Sequence, residues 1–176
     1  MRRRAIGCCR GVNGVDRSTT RRLIGAWLSR CLSHRWKGMN LHVIDSGSRN
    51  LSEIIRDLQL QGVFPQWKAW DVKVAVTGVL HREKQGCIAL IDFVAKKVTL
   101  DDVAGLLGYA RAINPILCMA MSREGAADSL LTLVHDYGRH DVLRYGREIR
   151  HIRIGQWNDK WREVDPASVI PRGMWL

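Results

Sequence analysis

Residues 87–122 read CIALIDFVAKKVTLDDVAGLLGYARAINPILCMAMS, and this stretch decides the fold. Its first nine residues form an almost unbroken apolar run with a single acid, Asp92. That composition fits a central strand buried on both faces. Thr99 then caps a helix whose apolar residues recur at helical spacing. Pro115 opens a second buried run, PILCMAMS; the first residue of a strand need not donate a hydrogen bond. Strand, helix and strand in that order predict an α/β domain built on a mixed sheet.

The flanking sequence extends the pattern. WDVKVAVTGVL (70–80) alternates Trp70, Val72, Val74 and Val76, as a half-buried strand would. HREKQG (81–86) reads as the turn into the next strand. NLHVID (40–45) predicts a short strand, and SGSRN a turn after it. In NLSEIIRDLQLQG (50–62), Asn50 or Ser52 caps a helix, Leu51, Ile54, Ile55 and Leu58 face inward, and Gly62 ends it. Residues 123–138 read equally as a helix bearing Leu130, Leu131 and Val134 or as a loop followed by a strand. DVLRYG (141–146) and EIRHIRIG (148–155) predict further strands.

Charge divides the 176-residue chain unevenly. Residues 1–38 hold ten Lys/Arg and one acid, whereas 39–138 are nearly neutral; the whole chain carries +11. Such a basic segment is the usual footprint of a polyanion partner. Within DRSTTRRLIGAWLSRCLSHRW (16–36), Leu23, Ile24, Trp27, Leu28, Cys31 and Leu32 mark one face of an amphipathic helix. Arg21, Arg22, Arg30 and Arg35 lie mostly off that face and are the candidate nucleic-acid contacts; the apolar face suits docking on the protein's own body, the commonest case, on a partner or on RNA. Three regions follow: a basic N-terminal extension with this helix (1–38), an α/β domain (39–156), and a Trp-rich tail (157–176).

No apolar run approaches the roughly 18 residues that cross a bilayer, so no membrane span is expected. The charged start lacks the apolar core of a signal peptide, and a cytoplasmic location is expected. Five cysteines without framework spacing argue against a disulfide scaffold. The six histidines do not join them at zinc spacing; no metal and no cofactor are expected.

Two chemistries of nucleic-acid cleavage can be sought. A metal-dependent nuclease needs acids on adjacent strands and a lysine nearby. Asp71 and Asp92 are the candidate acids, but Val94 stands two residues past Asp92, where the lysine belongs. A metal-free ribonuclease needs a general base, a general acid and a cation. His81 is the one histidine near the paired strands, in a charged turn.

The segments IIRDLQLQG (54–62), VTLDDVAGLLGYARAINPILCMAMS (98–122) and REGAADSLL (123–131), with the strands between, resemble the C-terminal nuclease-like domain of the archaeal and eukaryotic tRNA-splicing endonucleases. The resemblance covers roughly residues 50–131 and lies in element order and apolar spacing. It implies a catalytic tyrosine near Val79 and Leu80, a histidine near Gly86 and a lysine at Pro115. All three are absent, so it implies a non-catalytic structural subunit that binds precursor tRNA beside a catalytic endonuclease subunit in a hetero-oligomer. It also implies an acidic assembly loop, for which Glu124 and Asp128 are the candidates, with Trp157 and Trp161 as alternative subunit contacts. IALIDFVAKK (88–97) with GLLGYARAINPILCMAMS (105–122) also resembles the restriction-like nuclease fold, with its acid and lysine signature incomplete. That implies a degenerate DNA-binding or weakly active nuclease.

Overall fold

The computed structural model describes residues 17–146 and 148–172. Expectations for residues 1–16 and for Trp175 lie outside the described residues. Helix α1 (Arg17–Arg35) leads into β1 (Asn40–Asp45) and α2 (Leu51–Asp57). A hairpin follows, β2 (Val76–Arg82) and β3 (Gln85–Phe93). Helix α3 (Leu100–Ile113) crosses to β4 (Leu117–Ser122), and α4 (Asp128–Leu131) runs into a π-helical turn (Thr132–Asp136). β5 (Arg144–Tyr145) and β6 (Arg150–His151) form a small ribbon, and β7 (Arg153–Asn158) and β8 (Glu163–Val164) complete the main sheet.

The main sheet has six strands in the order β1-β2-β3-β4-β7-β8. β1, β2 and β3 are antiparallel in turn, β4 and β7 run parallel to β3, and β8 returns antiparallel. It is a mixed sheet in an α/β protein. Period-2 alternation feeds two cores. Ile88, Leu90, Cys118 and Ala120 point to the side of α2 and α3 with Ile54, Ile55, Val103 and Leu106. Ala89, Ile91, Leu117, Met119 and Met121 point to the other side, where Ile24, Trp27, Leu28 and Leu32 of α1 cover them.

Helix α1 is therefore one of the two layers on the sheet, not an appendage to it. Burying four large side chains at about 1.5–3 kcal/mol each favours this docking strongly. Gly78 permits the close approach: a Cβ there would stand 2.8 Å from the Leu32 side chain and 3.3 Å from the Ala89 Cβ. Residues 157–164 likewise belong to the sheet, since Trp157 pairs with Val164 and its ring meets Trp27 edge-on at 6.3 Å.

Several boundaries differ from the sequence pattern for identifiable reasons. The run 70–75 buries Trp70, Val72 and Val74 but is not a strand. Its carbonyls serve other groups: Val72 O and Trp70 O accept from the N–H groups of Leu51 and Ser52, and Ala75 O from Ser46. Helix α2 ends at Asp57, with Leu58 as its C-cap, rather than at Gly62, and Gln59 follows in the left-handed region at φ 58°. Residues 81, 82, 85 and 86 pair across the hairpin, so the turn is only Glu83 and Lys84. Thr99 caps α3 as its sequence predicts: its hydroxyl accepts from Asp102 N–H while the Asp102 carboxylate accepts from Thr99 N–H. The ambiguous segment 123–138 is helical from Asp128, with Leu130 and Val134 buried.

Candidate functional site

β1, β3, β4 and β7 all run in one direction, so their C-terminal ends share one edge of the sheet. The first turns of α1 reach the same edge. Crevices beyond strand C-termini are the usual binding place in open α/β sheets. Here Arg21, Gly47, Lys73, Val74, Ala75, Asp92 and Phe93 line a cavity of about 160 Å³. That is well below the roughly 300–1,000 Å³ of small-molecule sites and suits a single phosphate-sized group.

Each lining residue is placed by a local constraint. Arg21 projects from α1 and pairs with Asp45 at the end of β1, N to O 2.9 Å. Its guanidinium lies against the turn after β1, where a Cβ on Gly47 would stand 2.7 Å from it. The turn is fixed from beneath: the Ser46 hydroxyl bonds the Val74 carbonyl at 2.9 Å and the Thr77 hydroxyl at 2.8 Å, all buried. Lys73 is exposed between buried Val72 and Val74 and lines the cavity. It forms no ion pair among the described residues.

Asp92 follows the buried part of β3 and is itself half-buried. Burial pushes its carboxyl above the usual carboxylate range; the backbone N–H groups of Phe93 and Ala75 pull the other way, and Asp102 adds to the rise. Arg123, one residue past β4, pairs with Asp159, donates to the buried Thr20 hydroxyl at 2.6 Å and lies 5.5 Å from the centre of the Phe93 ring. The edge thus carries Arg21, Lys73 and Arg123. Arg21 and Arg123 are each paired with an acid of the same edge, Asp45 and Asp159, and Lys73 is not.

The helix arginines divide into two groups. Arg21 is part of the cleft. Arg22, Arg30 and Arg35 stand exposed along α1, with Arg30 Nη2 3.5 Å from the Arg162 carbonyl and Arg35 stacked over Trp36. Arg22 also lines a shallow groove with Ser18, Arg21, Ser29 and Asp45. Lys73, Arg123, Asp45 and Asp159 carry no local signal in the sequence: Asp45 ends β1, and the other three lie on segments between elements.

Asp71 and Asp92 are not brought together as a metal pair. Asp71 is exposed in the irregular run before β2 and does not line the cleft. Among the described residues no three His, Cys, Asp or Glu side chains group as metal ligands. Val79 and Leu80 are buried within β2, and Gly86 lies opposite His81. The Pro115 carbonyl accepts from the Tyr145 hydroxyl at 3.1 Å and Arg150 at 3.0 Å. His81 stacks on His42 across the β1–β2 pair at 5.5 Å.

The other candidates fall in distinct settings. Glu124 is exposed in the turn after β4, its N–H bonded to the Ser122 hydroxyl. Asp128 opens α4, where an acid meets the helix dipole favourably, and pairs with Lys97 at 2.8 Å. Trp157 is a core residue, 2% exposed, and offers no surface to a partner in this fold. Trp161 stands at the β7–β8 turn, 63% exposed. Among the described residues no helix is long and apolar enough to cross a membrane. Compared with family models, curated proteins and solved structures, the chain matches none.

Proposed function

We propose that this chain is a non-catalytic, nucleic-acid-binding protein on a nuclease-like scaffold, and that the cleft at the strand ends holds a phosphate of its ligand. The observation that carries the reading is the gathering of Arg21, Lys73 and Arg123 at one sheet edge, with the exposed arginines of α1 beside it. A phosphodiester would meet Lys73, which forms no ion pair among the described residues, at a partly desolvated rim where attraction exceeds that in open water, with Arg21 and Arg123 beside it in pairs with Asp45 and Asp159. Arg21, not a cluster of acids, shares the cavity with Asp92.

In the assembly that the sequence resembles, this makes the chain the structural subunit of a heteromeric tRNA-splicing endonuclease. It would hold precursor tRNA beside a catalytic subunit that supplies the tyrosine, histidine and lysine. Support comes from the side chains at the corresponding positions, which have no such chemistry: Val79, Leu80, Gly86 and Pro115. Glu124 and Asp128 remain the proposed subunit contacts. Reversing both to Lys should weaken association with the catalytic subunit, read by size-exclusion chromatography of the co-expressed pair, while the isolated chain stays folded. Normal assembly of the double variant at moderate salt would remove them from the interface.

One observation favours a second reading. Asp92 and Lys73 line the same cavity, an acid and a lysine at the edge where a restriction-like nuclease would work. On that reading the chain is a weakly active, metal-dependent nuclease on DNA. The separating experiment is incubation with precursor tRNA and with duplex DNA, in EDTA and in Mg²⁺. Binding without cutting in either buffer supports the first reading. Cutting that needs Mg²⁺ and vanishes in Asp92→Ala supports the second.

A further inference from the structure

Trp161 is the largest exposed apolar side chain among the described residues that is also held in place by its own turn. Asn158 Oδ1 accepts from the N–H groups of Lys160 and Trp161, at 3.0 and 3.1 Å. Arg162 closes the turn in the left-handed region at φ 54°. Asp159 is fixed from below by Trp157 Nε1 at 3.0 Å and by Arg123. The turn is pinned to the core and to the cleft, and the ring remains 63% exposed.

Its surroundings are cationic. Lys160 Nζ lies 5.0 Å from the ring centre. Arg162 follows in the chain, and Arg30 reaches its carbonyl from α1. Of the acids in the turn, Asp159 is paired with Arg123, which leaves Glu163 at the start of β8. An apolar protein pocket would have to desolvate these charges, whereas a polyanion is attracted by them. A flat aromatic ring flanked by cations is the arrangement that stacks an unpaired base while its phosphates meet Lys and Arg.

We infer that Trp161 is a base-stacking residue for a single-stranded segment of nucleic acid, held at the β7–β8 turn beside the phosphate-binding cleft. The inference rests on the function proposed above and adds the strandedness of the ligand. Arg123 pairs with Asp159 of this turn and lies over the ring of Phe93, which lines the cleft.

The test uses the full chain and three fluorescent probes in EDTA: a single-stranded oligonucleotide, the same sequence as a duplex, and the single strand with abasic sites throughout its centre. Wild-type protein should prefer the intact single strand. Trp161→Ala should weaken that binding about 5- to 150-fold, the loss of one stacked base, and leave the duplex and abasic affinities unchanged. Trp161→Phe should retain most of the affinity, and the thermal midpoints of both variants should match wild type. Lys160→Gln should instead lower the salt slope by about 0.7 on every single-stranded probe. If wild type binds the probes and Trp161→Ala binds the single strand equally well, the inference is overturned while the proposed function stands. Loss of a protein partner with oligonucleotide binding intact overturns it too and assigns the tip to a protein contact. Absence of binding to all three probes removes the proposed function and the inference together.

Discussion

Arg123 and Asp159, 36 residues apart in the chain, form an ion pair that ties the end of β4 to the turn after β7. The same guanidinium donates to Thr20 of α1 at 2.6 Å. Three elements that close the candidate site thus share one side chain. Arg123→Gln should lower the unfolding free energy by about 1–2 kcal/mol, because a charged hydrogen bond to a buried hydroxyl is lost, partly offset by solvent at the exposed side. Urea titration measures it. A variant as stable as wild type would show that the pair only decorates the surface.

Arg21 and Asp45 allow opposite changes at the cleft. On the proposed reading Arg21→Gln removes a cation that meets phosphate and should reduce the slope of log affinity against log salt by about 0.7–0.9. Asp45→Asn leaves the guanidinium without its neutralising partner and should tighten nucleic-acid binding. Both effects are read by anisotropy across a salt series. Equal slopes for both variants and wild type would place the ligand elsewhere.

Asp92 gives a pH dependence with a definite sign. Its folded-state pKa is raised from 3.8, chiefly by burial, so folding favours the protonated form. The cost to stability is absent below the unfolded-state value and grows as pH rises above it. Asp92→Asn should therefore be more stable than wild type at pH 7, and the gain should vanish below about pH 3.8. Thermal midpoints across that range check it. A variant that loses stability at neutral pH would mean that the Asp92 charge is needed by the fold.

Trp157 and Trp161, four residues apart, should respond oppositely to truncation. Trp157→Ala empties the core between α1 and the sheet and should cost about 3–5 kcal/mol. Trp161→Ala should change stability by less than about 0.5 kcal/mol. Gly78→Ala, which drives a methyl toward Leu32, should cost about 1–3 kcal/mol and loosen α1. Hydrogen exchange on the amides of α1 reports that loosening directly.

These contrasts mark what the sequence carries and what it does not. The run from Ile88 to Ser122 was legible because its signals are local: apolar strands, a threonine cap and a proline at the entry to the second strand; that Asn114 ends the helix in the left-handed region at φ 54° is added by the structure. The amphipathic face of α1 was legible as well, but not what it covers. Sequence periodicity names an apolar stripe without naming its partner, so docking on the protein's own body, on a partner or on RNA stayed open until the structure showed α1 on the sheet. Alternation at 70–76 was misleading for a related reason. Burying every second residue is needed by a strand and equally by an extended segment whose carbonyls serve a helix N-terminus.

The site was the least legible part. Asp45 ends β1 while Lys73, Arg123 and Asp159 lie on separate segments between elements, and only the shared direction of β1, β3, β4 and β7 brings them to one edge. Arg21 was identified from charge alone, and its role in the cleft depends on Gly47 leaving room. Trp157 and Trp161 read alike in a Trp-rich tail because their difference lies in a turn that sends one ring inward and the other out.

The most direct test of the central claim is the affinity of wild type and of the double variant Arg22→Glu, Lys73→Glu for labelled precursor tRNA, measured in EDTA from low to moderate salt with the RNA run on a denaturing gel afterwards. The account expects metal-independent binding that weakens steeply with salt, a much shallower dependence in the double variant, and intact RNA throughout, including after Mg²⁺ is added. Binding that requires Mg²⁺, or cleavage that appears with it and is lost in Asp92→Ala, would contradict a non-catalytic, phosphate-binding cleft.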